Sequence, residues 1–182
     1  MRRLALVALL CLGGCAATPP ARPALVSRPL LAPATLGQER TVSQVVRAAL
    51  GARELTFNCV VTVKQGAMSV IGLNAVGLRL FSVRYDGATV QADKSPGAPT
   101  EFDPAHLVAD LQLVYWPIET LQPALTQSGW QLSEPVPGTR RLRRGERLVA
   151  EVHYATLDAW TGRSWLVNFE HGYSLQVDSQ PF

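Results

Sequence analysis

The chain has 182 residues, a formal net charge of +3 and a hydrophobic fraction of 47%. This length is enough for one domain with a sizeable core and too short for two domains to be expected. Removal of residues 1–14, the leader predicted below, leaves 15 basic and 14 acidic residues and a net charge of +1. The charge balance therefore gives no reason to expect a nucleic-acid partner.

A secretory leader is predicted at the amino terminus, where Arg2 and Arg3 precede the apolar run Leu4–Leu12. This run is too short to span a bilayer, because a spanning helix needs ~20 apolar residues. The sequence LGGC at Leu12–Cys15 resembles the lipobox of bacterial lipoproteins. The resemblance implies cleavage before Cys15 and lipidation of its thiol. The alternative is an ordinary signal peptide with an incidental cysteine.

The residues after the predicted lipidation site indicate where the protein is expected to reside. Ala16 follows Cys15, and this absence of an aspartate resembles the sorting pattern of outer-membrane lipoproteins in Gram-negative bacteria. We therefore expect a lipid anchor in the outer membrane, on its periplasmic face. Residues 15–35 are rich in proline, which predicts an extended tether that does not pack against a core. Residues 36–182 are expected to form the domain.

Strands are predicted in the first part of this domain. Leu55–Val63 alternates apolar and polar residues, which is typical of a half-buried strand and places Cys59 on the apolar face as a small buried hydrophobe. Met68–Leu73 is the next predicted strand. Asn74–Gly77 is predicted to be a hairpin loop, because Asn and Gly tolerate positive φ and because the apolar parity changes before the strand Leu78–Arg84.

The hydrophobic period changes to that of two helices near the middle of the chain. Asp103 is a predicted N-cap, and Pro104 suits the first helical position. Trp116-Pro117 is expected to interrupt the helical segment, and Gly129 to end it. Apolar residues at helical spacing support both helices: Leu107, Val108, Leu111 and Val114 in the first, and Ile118, Leu121 and Leu125 in the second.

Five further strands are predicted after the helices, with glycine-containing turns between them. They are Trp130–Leu132, Thr139–Arg143, Leu148–Leu157, Arg163–Phe169 and Ser174–Val177. The order of strands, two helices and strands favours an α+β fold, in which an antiparallel sheet curves around a helical plug, over a parallel βαβ fold.

No catalytic constellation is apparent in the sequence. His106, His153 and His171 show no metal-binding spacing, and the chain has no Gly-x-Ser-x-Gly elbow, phosphate loop or CxxC motif. Cys59 has no disulfide partner once the leader is removed and Cys15 is lipidated. We therefore expect neither an enzyme nor a bound metal or cofactor.

Two interpretations of an arginine-rich segment stay open. Arg140–Arg147 carries five arginines around Gly145 and is predicted to form a hairpin. The hairpin is either a solvated strand pair at a sheet edge, where charge discourages aggregation, or a contact for anionic lipid head groups.

Three segments resemble the LolB family, outer-membrane lipoproteins that accept other lipoproteins from the periplasmic carrier LolA. The tip Asn74-Ala75-Val76-Gly77 resembles the family's Asn-Pro-Leu-Gly tip, whose protruding leucine corresponds to Val76. LVADLQLVYWPIETLQPAL, at residues 107–125, resembles the family's helix, Pro-Ile break and second helix. LVAEVHYA and RSWLVNFEHGYSLQVD, at residues 148–155 and 163–178, resemble the last hairpins of its barrel. A closer resemblance is to a group of LolB-like lipoproteins whose genes often accompany aryl-polyene lipid biosynthesis.

The resemblance implies a curved antiparallel sheet that forms an unclosed half-barrel under a short helical lid, as in LolA and LolB. The implied function is to bind acyl chains of a lipoprotein or a polyene-type lipid, received from a LolA-like periplasmic donor, and to aid their transfer to the outer membrane. The loop residues expected to contact the membrane or the cargo are Asn74, Val76 and Gly77. The residues expected to line the cavity or the lid are Leu78, Leu80, Phe81, Leu107, Leu111, Trp116 and Leu121. The alternative is a structural or adaptor lipoprotein of an envelope assembly with a filled core.

Overall fold

The computed structural model describes residues 27–98 and 103–181. The strands before the helices are β1 (Arg40–Leu50), β2 (Arg53–Lys64), β3 (Ala67–Leu73), β4 (Arg79–Tyr85) and β5 (Val90–Lys94). The helices are α1 (Pro104–Tyr115) and α2 (Ile118–Gln127). The later strands are β6 (Gln131–Val136), β7 (Thr139–Arg144), β8 (Arg147–Tyr154), β9 (Gly162–Asn168) and β10 (Tyr173–Pro181). Neither helix is long and apolar enough to cross a membrane.

The ten described strands form one antiparallel sheet in the order β5-β4-β3-β2-β1-β10-β9-β8-β7-β6. Its two edges, β5 and β6, are consecutive in the chain and do not pair with each other, so the curved sheet stays unclosed. The helices lie between these two edge strands in the sequence. The predicted α+β half-barrel with a short helical cover is confirmed.

Local sequence signals explain where the helices begin and end. The Asp103 carboxylate accepts hydrogen bonds from the backbone N–H groups of Ala105 (2.8 Å) and His106 (3.1 Å), which satisfies two donors of the first turn. Trp116, in an extended conformation, ends α1, because the residue before a proline is disfavoured in the helical region. We call residues 103–129 the helical cover.

The sequence on either side of the Asn74–Gly77 tip forms two strands, as predicted. Phe81 and Val83 on β4 are buried and lie opposite Gly72 and Val70 on β3. A Cβ atom at Gly72 would lie 2.3 Å from the Phe81 ring, so the aromatic side chain fits only because this residue is glycine. The loop Asn74–Gly77 therefore separates two paired strands.

Antiparallel pairing sorts the hairpin tips to two ends of the half-barrel. One end, which we call the Val76 end, contains the tips β1–β2, β3–β4, β7–β8 and β9–β10. The β2–β3, β4–β5, β6–β7 and β8–β9 tips lie at the opposite, Leu157 end. Helix α1 runs from the first end, where His106 contacts His171, to the second, where Tyr115 stacks on Trp160.

The prediction that the proline-rich segment does not pack against a core is wrong for residues 28–35, which together with Leu36 we call the strap. Leu30 and Leu31 are half-buried against the core. Pro33–Leu36 forms a 3-10 turn in which the first and last residues are buried. The remainder of the predicted tether, the leader and Cys15 lie outside the described residues, so the lipidation site stays a prediction.

Candidate functional site

The carboxyl end of α1 is bound by two side chains of the sheet. The guanidinium of Arg140 on β7 donates hydrogen bonds to the carbonyl oxygens of Leu113 (2.8 Å), Val114 (3.4 Å) and Trp116 (2.7 Å). The Tyr154 hydroxyl on β8 donates to the carbonyl of Val114 at 2.5 Å. A cation suits this position, because the last carbonyls of a helix have no partners within it and carry partial negative charge. We call these contacts the Arg140 latch.

A second polar contact joins the same end of α1 to the middle of the sheet. The Gln44 side chain on β1 donates to the Tyr115 hydroxyl and to the Ser179 hydroxyl on β10, the latter at 3.2 Å. The three residues are buried, and burial raises the pKa of Tyr115 to about 12. Because buried polar groups need partners, these hydrogen bonds fix the position of α1 on the sheet.

The strap is held on α1 by a buried ion pair. The Arg28 guanidinium contacts the Asp110 carboxylate, and the two side chains are only 7% and 5% exposed. The hydroxyl of Tyr173 on β10 donates to the same carboxylate, and the Asn168 amide donates to that hydroxyl at 3.2 Å. Burial raises the pKa of Tyr173, and the adjacent Asp110 raises it further. The cluster links strap, helix and sheet through charge-assisted hydrogen bonds.

Main-chain groups of the strap bind side chains on both sides of it. The Gln112 side chain of α1 accepts from the Leu31 N–H (3.0 Å) and donates to the Leu31 carbonyl (2.6 Å). The Tyr85 hydroxyl of β4 donates to the Leu30 carbonyl at 3.3 Å. The Trp116 indole donates to the Thr35 hydroxyl at 2.9 Å. The strap therefore lies across α1 and reaches β4.

Side chains fill the space between the helical cover and the sheet. Val108, Trp116 and Leu142 are completely buried there. A cavity of about 10 Å³ remains beneath Arg28 and Pro29, which is room for no more than one water molecule. This cavity is therefore too small for an acyl chain in this conformation.

The predicted loop residues form an ordered tip with an exposed apolar side chain. The Asn74 carboxamide oxygen accepts from the N–H groups of Val76 (3.1 Å) and Leu78 (2.9 Å), and Gly77 has the positive φ of +82° that this turn requires. Val76 is 78% exposed. Its contact with membrane or cargo stays a prediction.

The predicted cavity and lid residues fall into three groups. Phe81, Trp116 and Leu121 are buried under the cover, while Leu107 and Leu111 are half-buried and pack against the core. Leu78 is a correction, because it is 66% exposed at the Val76 end and lines no cavity. Leu80 points to the opposite face of β4 from Phe81 and lies near Gly97 of the following loop, and it is half-buried and packs against the core.

The sequence analysis missed Asp110 and Gln112, and it did not foresee the contact of Arg140 with α1, because parity and apolar spacing do not register polar partners. A signal was available for the first two, since polar residues inside the apolar stretch Leu107–Trp116 require buried partners. No signal pointed to the strap.

The remaining polar residues include no candidate metal cluster in the described part of the chain. Within residues 27–98 and 103–181, no group of three or more His, Cys, Asp or Glu side chains is placed to hold a metal ion. Cys59 is buried as predicted, and burial raises the pKa of its thiol to about 12. Of the arginine hairpin, Arg140 turns inward to the cover and Arg141 pairs with Glu151, so neither is a simple edge charge.

Comparison with known proteins identifies the family. A family model described as "Protein of unknown function (DUF3261)" matches residues 41–181. The chain belongs to the DUF3261 family. No curated protein matches the chain.

Two solved structures are similar to this DUF3261 chain. One is the LolA superfamily protein NE2245 from Nitrosomonas europaea, with 10% identity and a TM-score of 0.46, over 84% of this chain and 92% of that one. The other is a DUF1329 family protein from Desulfovibrio piger, with 8% identity and a TM-score of 0.35, over 81% of this chain and 87% of that one. The specific LolB-like assignment stays a prediction.

Proposed function

We propose that this DUF3261 chain is a lipid-anchored outer-membrane lipoprotein that binds an acyl chain, of a lipoprotein or a polyene-type lipid, between the half-barrel and the helical cover. The observation that carries the proposal is the Arg140 latch across the open side of an unclosed sheet. At the latch, the cover is attached to the sheet through hydrogen bonds from side chains to the last carbonyls of α1. When the cover lifts, water can hydrogen-bond both the Arg140 guanidinium and these carbonyls. The described conformation is then the closed, unloaded state.

The free energy gained by burying an acyl chain exceeds the free energy lost when the hydrogen bonds of the latch break. Each hydrogen bond of the latch contributes ~1 kcal/mol net. An acyl chain with about 14 methylene groups gains ~0.8 kcal/mol for each one buried, or ~11 kcal/mol in all. The apolar side chains that leave the sheet pack on the incoming chain, because hydrophobic transfer has no directional requirement. A loaded state with a broken latch is therefore accessible.

Arg140→Met tests the latch, because it removes the guanidinium while the unbranched stem keeps much of the packing. Its matched control is Arg141→Met, on the neighbouring residue that pairs with Glu151 instead of the cover. We expect Arg140→Met to raise the fluorescence of an apolar probe and the amount of lipid found by mass spectrometry after native purification, at least severalfold over the control. Equal probe binding by the two variants, with no lipid in either, would overturn the proposal.

A second candidate function, a non-transporting adaptor of an envelope assembly, is favoured by a different observation. The space under the cover is filled by residues such as Trp116 and Leu142. An adaptor keeps this core in every state, so neither arginine variant would bind the probe or lipid. The two functions therefore predict opposite outcomes in one experiment.

Transfer to the outer membrane is the finer part of the proposal, and it assigns membrane contact to the Val76 tip. Val76→Glu is expected to reduce transfer of a lipidated cargo from a LolA-like donor to vesicles at least tenfold, without lowering the melting temperature. Leu157→Glu is the matched control, because Leu157 is 91% exposed at the opposite end. Equal transfer by both variants would remove the tip from the mechanism.

A further inference from the structure

We infer that the strap occupies part of the acyl-binding site, with Leu30 and Leu31 lying where an acyl chain lies in the loaded protein. Loading then requires that the strap leaves. The inference rests on the proposed function, since it names the internal segment that competes with the ligand for the same surface.

The strap is bound as a separate extended ligand would be bound. Gln112 makes two hydrogen bonds to the main chain of Leu31, and Tyr85 makes one to that of Leu30. The leucine side chains pack against the core. Outside its 3-10 turn, this part of the chain belongs to no helix and pairs with no strand. The hydrogen bonds that hold Leu30 and Leu31 come from side chains of α1 and β4.

Apart from Gln112 and Asp110, the surface beneath the strap is apolar, and it continues under the cover. The cavity below Arg28 and Pro29 is lined by Ala109, Gln112, Leu113, Leu121, Leu125 and Leu142. Tyr85, on the other side of the strap, is 3% exposed. Departure of the strap would expose an apolar groove between α1 and β4 that joins this cavity. A hydrocarbon chain is the ligand class that such a groove stabilises.

The balance of interactions makes the strap a competitor that can be displaced. When the strap leaves, water hydrates its main-chain groups and the Arg28 guanidinium. The acyl chain then covers the apolar surface that Leu30 and Leu31 covered before. Asp110 keeps its hydrogen bond from Tyr173 but loses its cation, which is costly for a buried carboxylate. This cost sets a threshold that keeps the groove closed when no acyl chain is present.

The test compares binding of cis-parinaric acid, a fluorescent polyene fatty acid, by the full-length protein and two variants. Gln112→Met removes both hydrogen bonds to Leu31 while it keeps an unbranched side chain. Gln122→Met is the matched control, because Gln122 on α2 donates to the carbonyl of Leu132 and does not touch the strap. We expect Gln112→Met to lower the Kd about tenfold and the control to leave it unchanged.

Hydrogen exchange provides a second readout that does not depend on a variant. The Leu31 N–H is bonded to Gln112 in the closed state, so its exchange should accelerate at least tenfold when the wild-type protein is saturated with cis-parinaric acid. Exchange in β1 should stay unchanged, because its main chain is paired on both sides.

The outcomes separate this inference from the proposed function. The wild type and Gln112→Met could bind cis-parinaric acid with the same Kd, while hydrogen exchange at Leu31 stays unchanged. This result would overturn the role of the strap and leave acyl binding intact. Binding by Gln112→Met that exceeds binding by the wild type supports the strap as a competitor. Absence of binding in all three proteins would overturn both.

Discussion

The helical cover and the strap lie over the same concave face, but they are attached to it in opposite ways. In the cover, only the last carbonyls of α1 need outside partners, because the rest of the helix satisfies its own main chain, and Arg140 and Tyr154 supply them. The strap has little hydrogen bonding of its own, so Gln112 and Tyr85 must bind its main chain. Each helix of the cover therefore keeps its main-chain hydrogen bonds without the sheet, while the strap holds its conformation only as long as it is bound.

Trp116→Ala should give the largest effect, because this side chain fills the core and also binds the strap. It is completely buried, and its indole donates to the Thr35 hydroxyl of the strap. We expect the free energy of unfolding, measured by urea denaturation, to fall by about 4 kcal/mol. Trp165→Ala, at a residue that is 38% exposed, is the control and should cost about 1 kcal/mol. Similar losses in the two variants would contradict a shared anchor.

Arg28→Ala should give the next largest effect and acts on the strap alone. It leaves Asp110 buried without its cation, which costs about 3 kcal/mol. The control is Arg47→Ala, which breaks a pair with Asp178 whose side chains are 52% and 29% exposed, and should cost no more than about 0.5 kcal/mol. If urea denaturation gives the two variants equal stability, the strap is not packed on α1 as described.

The smallest expected effect is a change in the pH dependence of stability, caused by His171 at the amino end of the cover. Burial lowers the pKa of His171 below its usual value, and the adjacent His106 lowers it further, while Glu170 and Asp110 oppose the shift. The unfolded chain therefore binds a proton more readily, so this contribution to stability is present above pH ~6.5 and is lost as the pH falls through that value towards the folded-state pKa.

His171→Gln should flatten this part of the pH profile of stability, measured by thermal unfolding between pH 8 and pH 5. His153→Gln is the control, because the hydrogen bonds of His153 go to Thr139 on β7 and Glu151 on β8. A profile that is unchanged in His171→Gln would show that the histidine contact does not stabilise the cover.

The same comparison explains how far the sequence predicts the structure. The cover could be located because the caps and the helical spacing are local, and the Asn74–Gly77 tip because its turn residues are adjacent. The strap could not, since the bonds that hold Leu31 come from Gln112, 81 residues away. Alternation places Leu80 and Phe81 on opposite faces of β4, but it could not show that Leu78 lies at an exposed tip, because the strand begins only at Arg79. The filled interior followed from side-chain volumes that no pattern of apolar residues specifies.

The most direct test of the account is to locate the bound acyl chain by photo-crosslinking. A palmitate with a diazirine near its methyl end would be added to the Arg140→Met variant and activated, and the modified residues identified by mass spectrometry. The account predicts adducts on the concave surface and the cover, at residues such as Tyr85, Leu113 and Trp116. Adducts confined to the exposed tips around Val76 and Leu157, or none at all, would contradict it.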